Sequence, residues 1–210
     1  MRSKVIRRLM VRAHRWAALV LGLALVVEST CGAVALYQSE WFLATHSGFY
    51  RHTDSDHQIS AQDATAYGVD PGTGRINGLA DIDGGVMGFI VNLHICALAC
   101  PHYPGYISAL ADLAPILGLT WGAAILAGLG LLMLALAITG VLAWWPGIRR
   151  LWRRTRVRWS AGRFARDYDL HNLIGIVALP FLLMWGVTGA AFELPVVANA
   201  WLAVTGGHWR

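Results

Sequence analysis

Three long apolar stretches, Trp16–Tyr37, Leu117–Trp145 and Leu173–Val197, alternate with polar ones. A hydrocarbon core takes about 20 apolar residues per helix, so the pattern predicts spanning helices over 16–37, 117–145 and 171–197. The first run holds one charge, Glu28, and the second none; the third holds Pro180 and, near its end, Glu193. The second is longer than one crossing needs and predicts tilt. Trp41, Phe42, Trp144, Trp145 and Trp201 fall at the run ends, where aromatic anchors collect.

The polar stretch 38–116 is punctuated by turn signals, including Asp70-Pro71-Gly72-Thr73-Gly74. Within it Val86–Ala99 is apolar but too short to span, and reads as interfacial or buried. Tyr106–Ile116 reads as a short helix on the membrane surface, interrupted by Asp112. The fold class is an all-α integral membrane protein with three transmembrane helices and a small, mostly irregular extracytoplasmic insertion.

Composition supports this reading. The chain is 56% apolar and only 14% charged, against about 25% charged in soluble domains, which excludes a purely soluble globule. Fourteen of the 17 basic residues lie in two blocks, 1–15 and 146–170, whereas 38–116 holds eight acids and two arginines. That alternation is the positive-inside signature. It predicts a cytoplasmic N-terminus (1–15) and Arg-rich loop (146–170), with 38–116 and the tail 198–210 outside. A nucleic-acid-binding face, basic and studded with aromatics, has no counterpart here. Ala33-Val34-Ala35 reads as a signal-peptidase site, but six basic residues before Trp16 and an apolar run continuing to Leu36 favour an uncleaved helix.

The first and third spans echo each other. His14 precedes Gly32 by 18 residues, as His171 precedes Gly189. On a helix the positions 4, 15 and 18 residues on lie near one face: Ala18, Ser29 and Gly32 from His14, and Gly175, Gly186 and Gly189 from His171. Both spans run outward, so both histidines sit near the cytoplasmic face. Two imidazoles with slim faces above them fit a flat macrocycle with an axial ligand from each side. Small residues at this spacing equally serve close helix packing without a cofactor, and a histidine at a helix start can simply meet water and headgroups.

The runs His14-Arg15-Trp16, Thr30-Cys31-Gly32-Ala33, Val69–Arg75, Leu93-His94, Ile138–Pro146 (with Thr139-Gly140 and Trp144-Trp145-Pro146), Asp169-Leu170-His171-Asn172 and Val187-Thr188-Gly189-Ala190 resemble, in order, the PepSY-associated transmembrane family. Characterised members include inner-membrane ferric-siderophore reductases that carry b-type haem and pass electrons outward. The resemblance implies a bacterial inner-membrane protein for iron uptake, with His14 and His171 as axial ligands of a cytoplasmic-side haem. It implies His94 as ligand of a second, outer haem whose partner comes from a fourth helix. Only three spans occur in this sequence, so that partner falls to His46, His102, His208 or another chain. Ile59–Ala64 and the Asp-Pro-x-Thr-Gly turn are its PepSY trace.

Other groups have two readings each. Cys96 and Cys100 read as a disulfide, which persists outside the cytoplasm, or as two buried thiols. A metal site with His94 and His102 is disfavoured, because zinc motifs space their ligand pairs better. Cys31 reads as a packing residue. Glu28 lies slightly beyond mid-membrane, where a carboxylate is costly; it is a proton relay, a quinone contact, or a neutral acid bonded to Ser29, Thr30 or a neighbouring helix. Arg12, Arg15 and Arg149 are placed to pair with haem propionates, while the other arginines anchor the chain on anionic lipid. Gly118, Gly122, Gly128 and Gly130 give the second span a close-approach face that predicts a homodimer or hetero-complex. Two functions follow: a haem electron-transfer protein served by a cytoplasmic donor, or a haem-free accessory or assembly subunit.

Overall fold

Unbroken runs of Leu, Ala, Val and Gly satisfy their backbone groups internally as helices, which is what hydrocarbon demands. The computed structural model describes residues 2–47, 58–62, 65–70, 72–115, 118–145, 149 and 155–207. In chain order the elements are α1 (Arg2–Ala35), α2 (Gln38–Thr45), β1 (Gln58–Gln62), β2 (Thr65–Val69), β3 (Ile76–Asp81), α3 (Gly85–Cys96), α4 (Ser108–Ala111), α5 (Trp121–Trp144), α6 (Arg163–Glu193) and α7 (Pro195–Thr205). Among the described residues, three helices are long and apolar enough to cross a membrane: Arg8–Ala35 of α1, all of α5 and all of α6. The protein is thus mostly helical and membrane-embedded. Two compact units make up the chain, one from Met1–Leu25 and Leu126–Arg210, the other from Val26–Ile125.

In the first unit small residues bring α5 and α6 together. A Cβ at Gly130 would stand 2.7 Å from the backbone nitrogen of Ala190, and one at Gly186 would stand 2.7 Å from Leu134 Cγ. Ala190 is fully buried, and Ala127 and Ala137 nearly so. Large side chains point away, among them Leu19, Val20, Leu23, Phe181 and Trp185, as lipid-facing surface requires. Helix α6 starts eight residues before the predicted span. There Arg158 grips Asp169 in a fork, with Nε–H donating to Oδ2 at 2.8 Å and Nη2–H to Oδ1 at 3.0 Å. At the other end Leu194 turns the chain into α7, whose first residue is Pro195, the favoured position for a residue without an N–H. Val196 and Val197, placed in the third span by hydropathy, belong to this separate helix.

In the second unit the insertion is more ordered than its sequence pattern implies: it holds an antiparallel sheet in the order β1-β2-β3. Along β2 the buried positions are Ala66 and Gly68, and Ala66 packs on Ala80 with Phe42 and Ile82 around them. The Asp70–Gly74 turn forms as read: Asp70 Oδ1 accepts from the Gly72 N–H at 2.9 Å, and its carbonyl accepts from the Gly74 N–H at 2.7 Å. Gly74 has φ +67°, a conformation in which a side chain is strained. The apolar stretch from Val86 becomes α3, burying Met87, Val91 and Asn92. The surface helix expected over 106–116 shrinks to the single turn α4, after which Leu113 bridges to Thr120.

Candidate functional site

The first unit brings His14 of α1 and His171 of α6 together, with ring centroids 6.3 Å apart and planes at 70°. A metal-bound imidazole nitrogen sits about 2.0 Å from its ion, so two imidazoles held trans across one ion have centroids roughly 6 Å apart. The separation of the two rings matches that distance. The His14 Nδ1 lies 3.1 Å from Thr139 Oγ1 on α5. Beside it Gly140 leaves room for the ring: a Cβ there would stand 3.2 Å from His14 Cε1. One turn above His171, a Cβ at Gly175 would meet nothing within 4 Å. Gly189 is likewise open, whereas Gly186, read as part of the slim face, is filled by Leu134 of α5.

The second unit holds the other histidine site. His94 Nδ1 lies 2.8 Å from Glu28 Oε1 and 3.2 Å from the Glu28 carbonyl. Glu28 thus meets a side chain of a neighbouring helix, α3. Gly32, one turn beyond Glu28, makes the approach possible, because a Cβ there would stand 2.5 Å from His94 Cε1. Gly32 thus accommodates His94 rather than clearing space above His14. Hydrogen bonding to the Glu28 carboxylate raises the His94 pKa above its ordinary value, against the opposing effect of burial.

The other candidates belong to neither pair. Cys96 and Cys100 form a disulfide, with Cα atoms 5.7 Å apart, and Cys31 is a free thiol. Asn92, fully buried, ties the disulfide loop down: its Nδ2 donates to the carbonyls of Cys100 and Pro104 at 3.3 and 3.1 Å, and its Oδ1 accepts from the Cys100 N–H. No sequence signal marked this residue, since one Asn in an apolar run reads as incidental. His46 stacks on Phe42 at 4.5 Å, and His102 lies against Tyr103 at 4.3 Å; His208 lies outside the described residues. Among the described residues no cluster of three His, Cys, Asp or Glu could hold a bare metal ion. Of the second span's glycines, Gly122 is occupied by the Cys96 carbonyl and Ala99, Gly130 by α6, and Gly118 sits in a turn at φ +66°. Gly128, like Gly118, has open space where a side chain would stand.

Three spanning helices, with a histidine pair between the first and third, define a polytopic membrane protein with a built imidazole site. The model of the PepSY-associated TM region matches residues 11–208, and the chain belongs to that family. It is also similar to an uncharacterized protein of Pseudomonas aeruginosa, PA4219, at 42% identity over 77 residues, 35% of this chain and 18% of that protein. The match thus spans less than a fifth of the relative's length. No solved structure matches the chain.

Proposed function

We propose that the protein is a membrane-embedded electron-transfer protein, related to ferric-siderophore reductases, that holds one b-type haem between His14 and His171. The reading rests on the 6.3 Å separation of the two rings. The haem supplies one-electron transfer when bound. His14 and His171 each offer a neutral imidazole lone pair. Gly175 leaves the approach to His171 open, and Arg12 and Arg15, exposed beside His14 on α1, offer guanidinium groups to the propionates. His94 carries Glu28 on its Nδ1, and the reading assigns it no haem.

The basic blocks favour an N-terminus in the cytoplasm; on this reading electrons pass outward across a bacterial inner membrane from a cytoplasmic donor. Reporter fusions at Arg158 read cytoplasmic and fusions at Asp70 extracytoplasmic; the reverse pattern overturns the orientation. The second reading, a haem-free accessory or assembly subunit, draws on the insertion, whose strands of five or six residues and short helices leave little surface for a siderophore. A reduced-minus-oxidised absorption spectrum of the purified protein decides. The haem reading predicts the sharp bands of a low-spin b-type haem, and their absence from protein expressed with haem precursor leaves the accessory reading.

A further inference from the structure

Thr139 stands in the middle of an apolar helix, where its hydroxyl must find a partner or remain unsatisfied in hydrocarbon. It finds one in its own helix: Oγ1 donates to the Ala135 carbonyl, four residues back, at 2.6 Å. A hydroxyl has a single proton and two lone pairs. With the proton committed to Ala135, only a lone pair is left to face His14 Nδ1 at 3.1 Å. A second lone pair at Nδ1 would be repelled, so Nδ1 must carry the proton and Nε2 must be bare. Gly140, the next residue, supplies the space in which the ring lies.

We propose that Thr139 is the positioning residue of His14: its hydroxyl, locked to the Ala135 carbonyl, fixes the Nδ1–H tautomer and leaves Nε2 bare. The inference rests on the haem reading for its consequence, since a haem ligand must present an unprotonated nitrogen. The fixing of the tautomer stands on hydrogen-bond geometry alone. Outer partners of this kind orient a ligating histidine and raise its basicity. The same feature explains why a threonine and a glycine stand together in the Thr139-Gly140 pair, one holding the imidazole and the other making room for it.

The test compares the full-length protein with Thr139→Val, which keeps the shape and loses the hydroxyl, and Thr139→Ser, which keeps the hydroxyl. Nitrogen-15 NMR of labelled histidine in the protein as purified without haem reads the tautomer directly. Wild-type and Thr139→Ser show His14 protonated at Nδ1, and Thr139→Val loses that preference. In haem-loaded protein Thr139→Val weakens haem affinity about 10–100-fold and raises the midpoint potential, because a less basic imidazole favours ferric iron less; Thr139→Ser restores both. An unchanged tautomer in Thr139→Val overturns the proposal, as does equal damage in Thr139→Val and Thr139→Ser with helix content intact. If wild-type protein binds no haem but shows the Nδ1–H tautomer lost in Thr139→Val, the haem reading fails and the positioning role stands.

Discussion

His14 and His94 are held in similar ways and prepared for opposite chemistry. Each is engaged at Nδ1, and each lies against a glycine that leaves room for the ring, Gly140 in one case and Gly32 in the other. The difference is the acceptor. His14 meets a neutral hydroxyl whose proton is already committed to the Ala135 carbonyl. His94 meets a carboxylate, which stabilises the imidazolium, so the ring is disposed to hold a proton. The partner at Nδ1 is what distinguishes the two rings: a neutral hydroxyl for His14 and a carboxylate for His94.

The contrast breaks most severely at the two glycines. Gly32→Leu puts a branched side chain where the His94 ring stands, only 2.5 Å from the Cβ position. We expect overpacking of about 1–3 kcal/mol and separation of His94 from Glu28, with the haem spectrum kept; denaturation together with that spectrum checks both parts. Gly140→Leu, where the clearance is 3.2 Å, costs less in stability but displaces His14. Haem is lost while His94 still titrates with its raised pKa. Haem retained in Gly140→Leu contradicts the assignment of that glycine.

Glu28→Gln sharpens the contrast more gently. Its carboxylate raises the His94 pKa, so the replacement brings His94 back toward the ordinary value near 6.5. A group whose folded pKa is raised contributes stability that is fully present below its unfolded pKa, and that stability is lost as pH rises through the folded pKa. Glu28→Gln therefore costs stability on the acid side of that interval, and the difference from wild type fades on the alkaline side. Thermal unfolding of both proteins across that range checks the sign; a deficit growing with pH contradicts it.

How far these features show in the sequence depends on how local they are. The three spans are plain, because each is a run of about 20 apolar residues and hydrocarbon admits few alternatives. The pairing of His14 with His171 is legible in the repeated spacing of the first and third spans. The sheet is not, since its buried strand positions among the described side chains are Ala66, Gly68 and Ala80, and small residues give no apolar alternation to read. Thr139 is hidden for a related reason: a threonine bonded to its own helix looks like ordinary membrane-helix composition. Glu28 and His94 are 66 residues apart, and neither periodicity nor spacing links them. Without that contact, Gly32 falls into the nearest visible pattern, the one starting at His14.

The central claim is that His14 and His171, and not His94, hold the haem. Electron paramagnetic resonance of the ferric protein tests it directly, because a bis-imidazole iron has a low-spin signal that changes when either ligand is lost. His14→Ala and His171→Ala are each expected to abolish that signal or convert it to high spin, and His94→Ala to leave it as in wild type. A wild-type low-spin signal in the doubly substituted His14→Ala, His171→Ala protein, or its loss in His94→Ala alone, would contradict the claim.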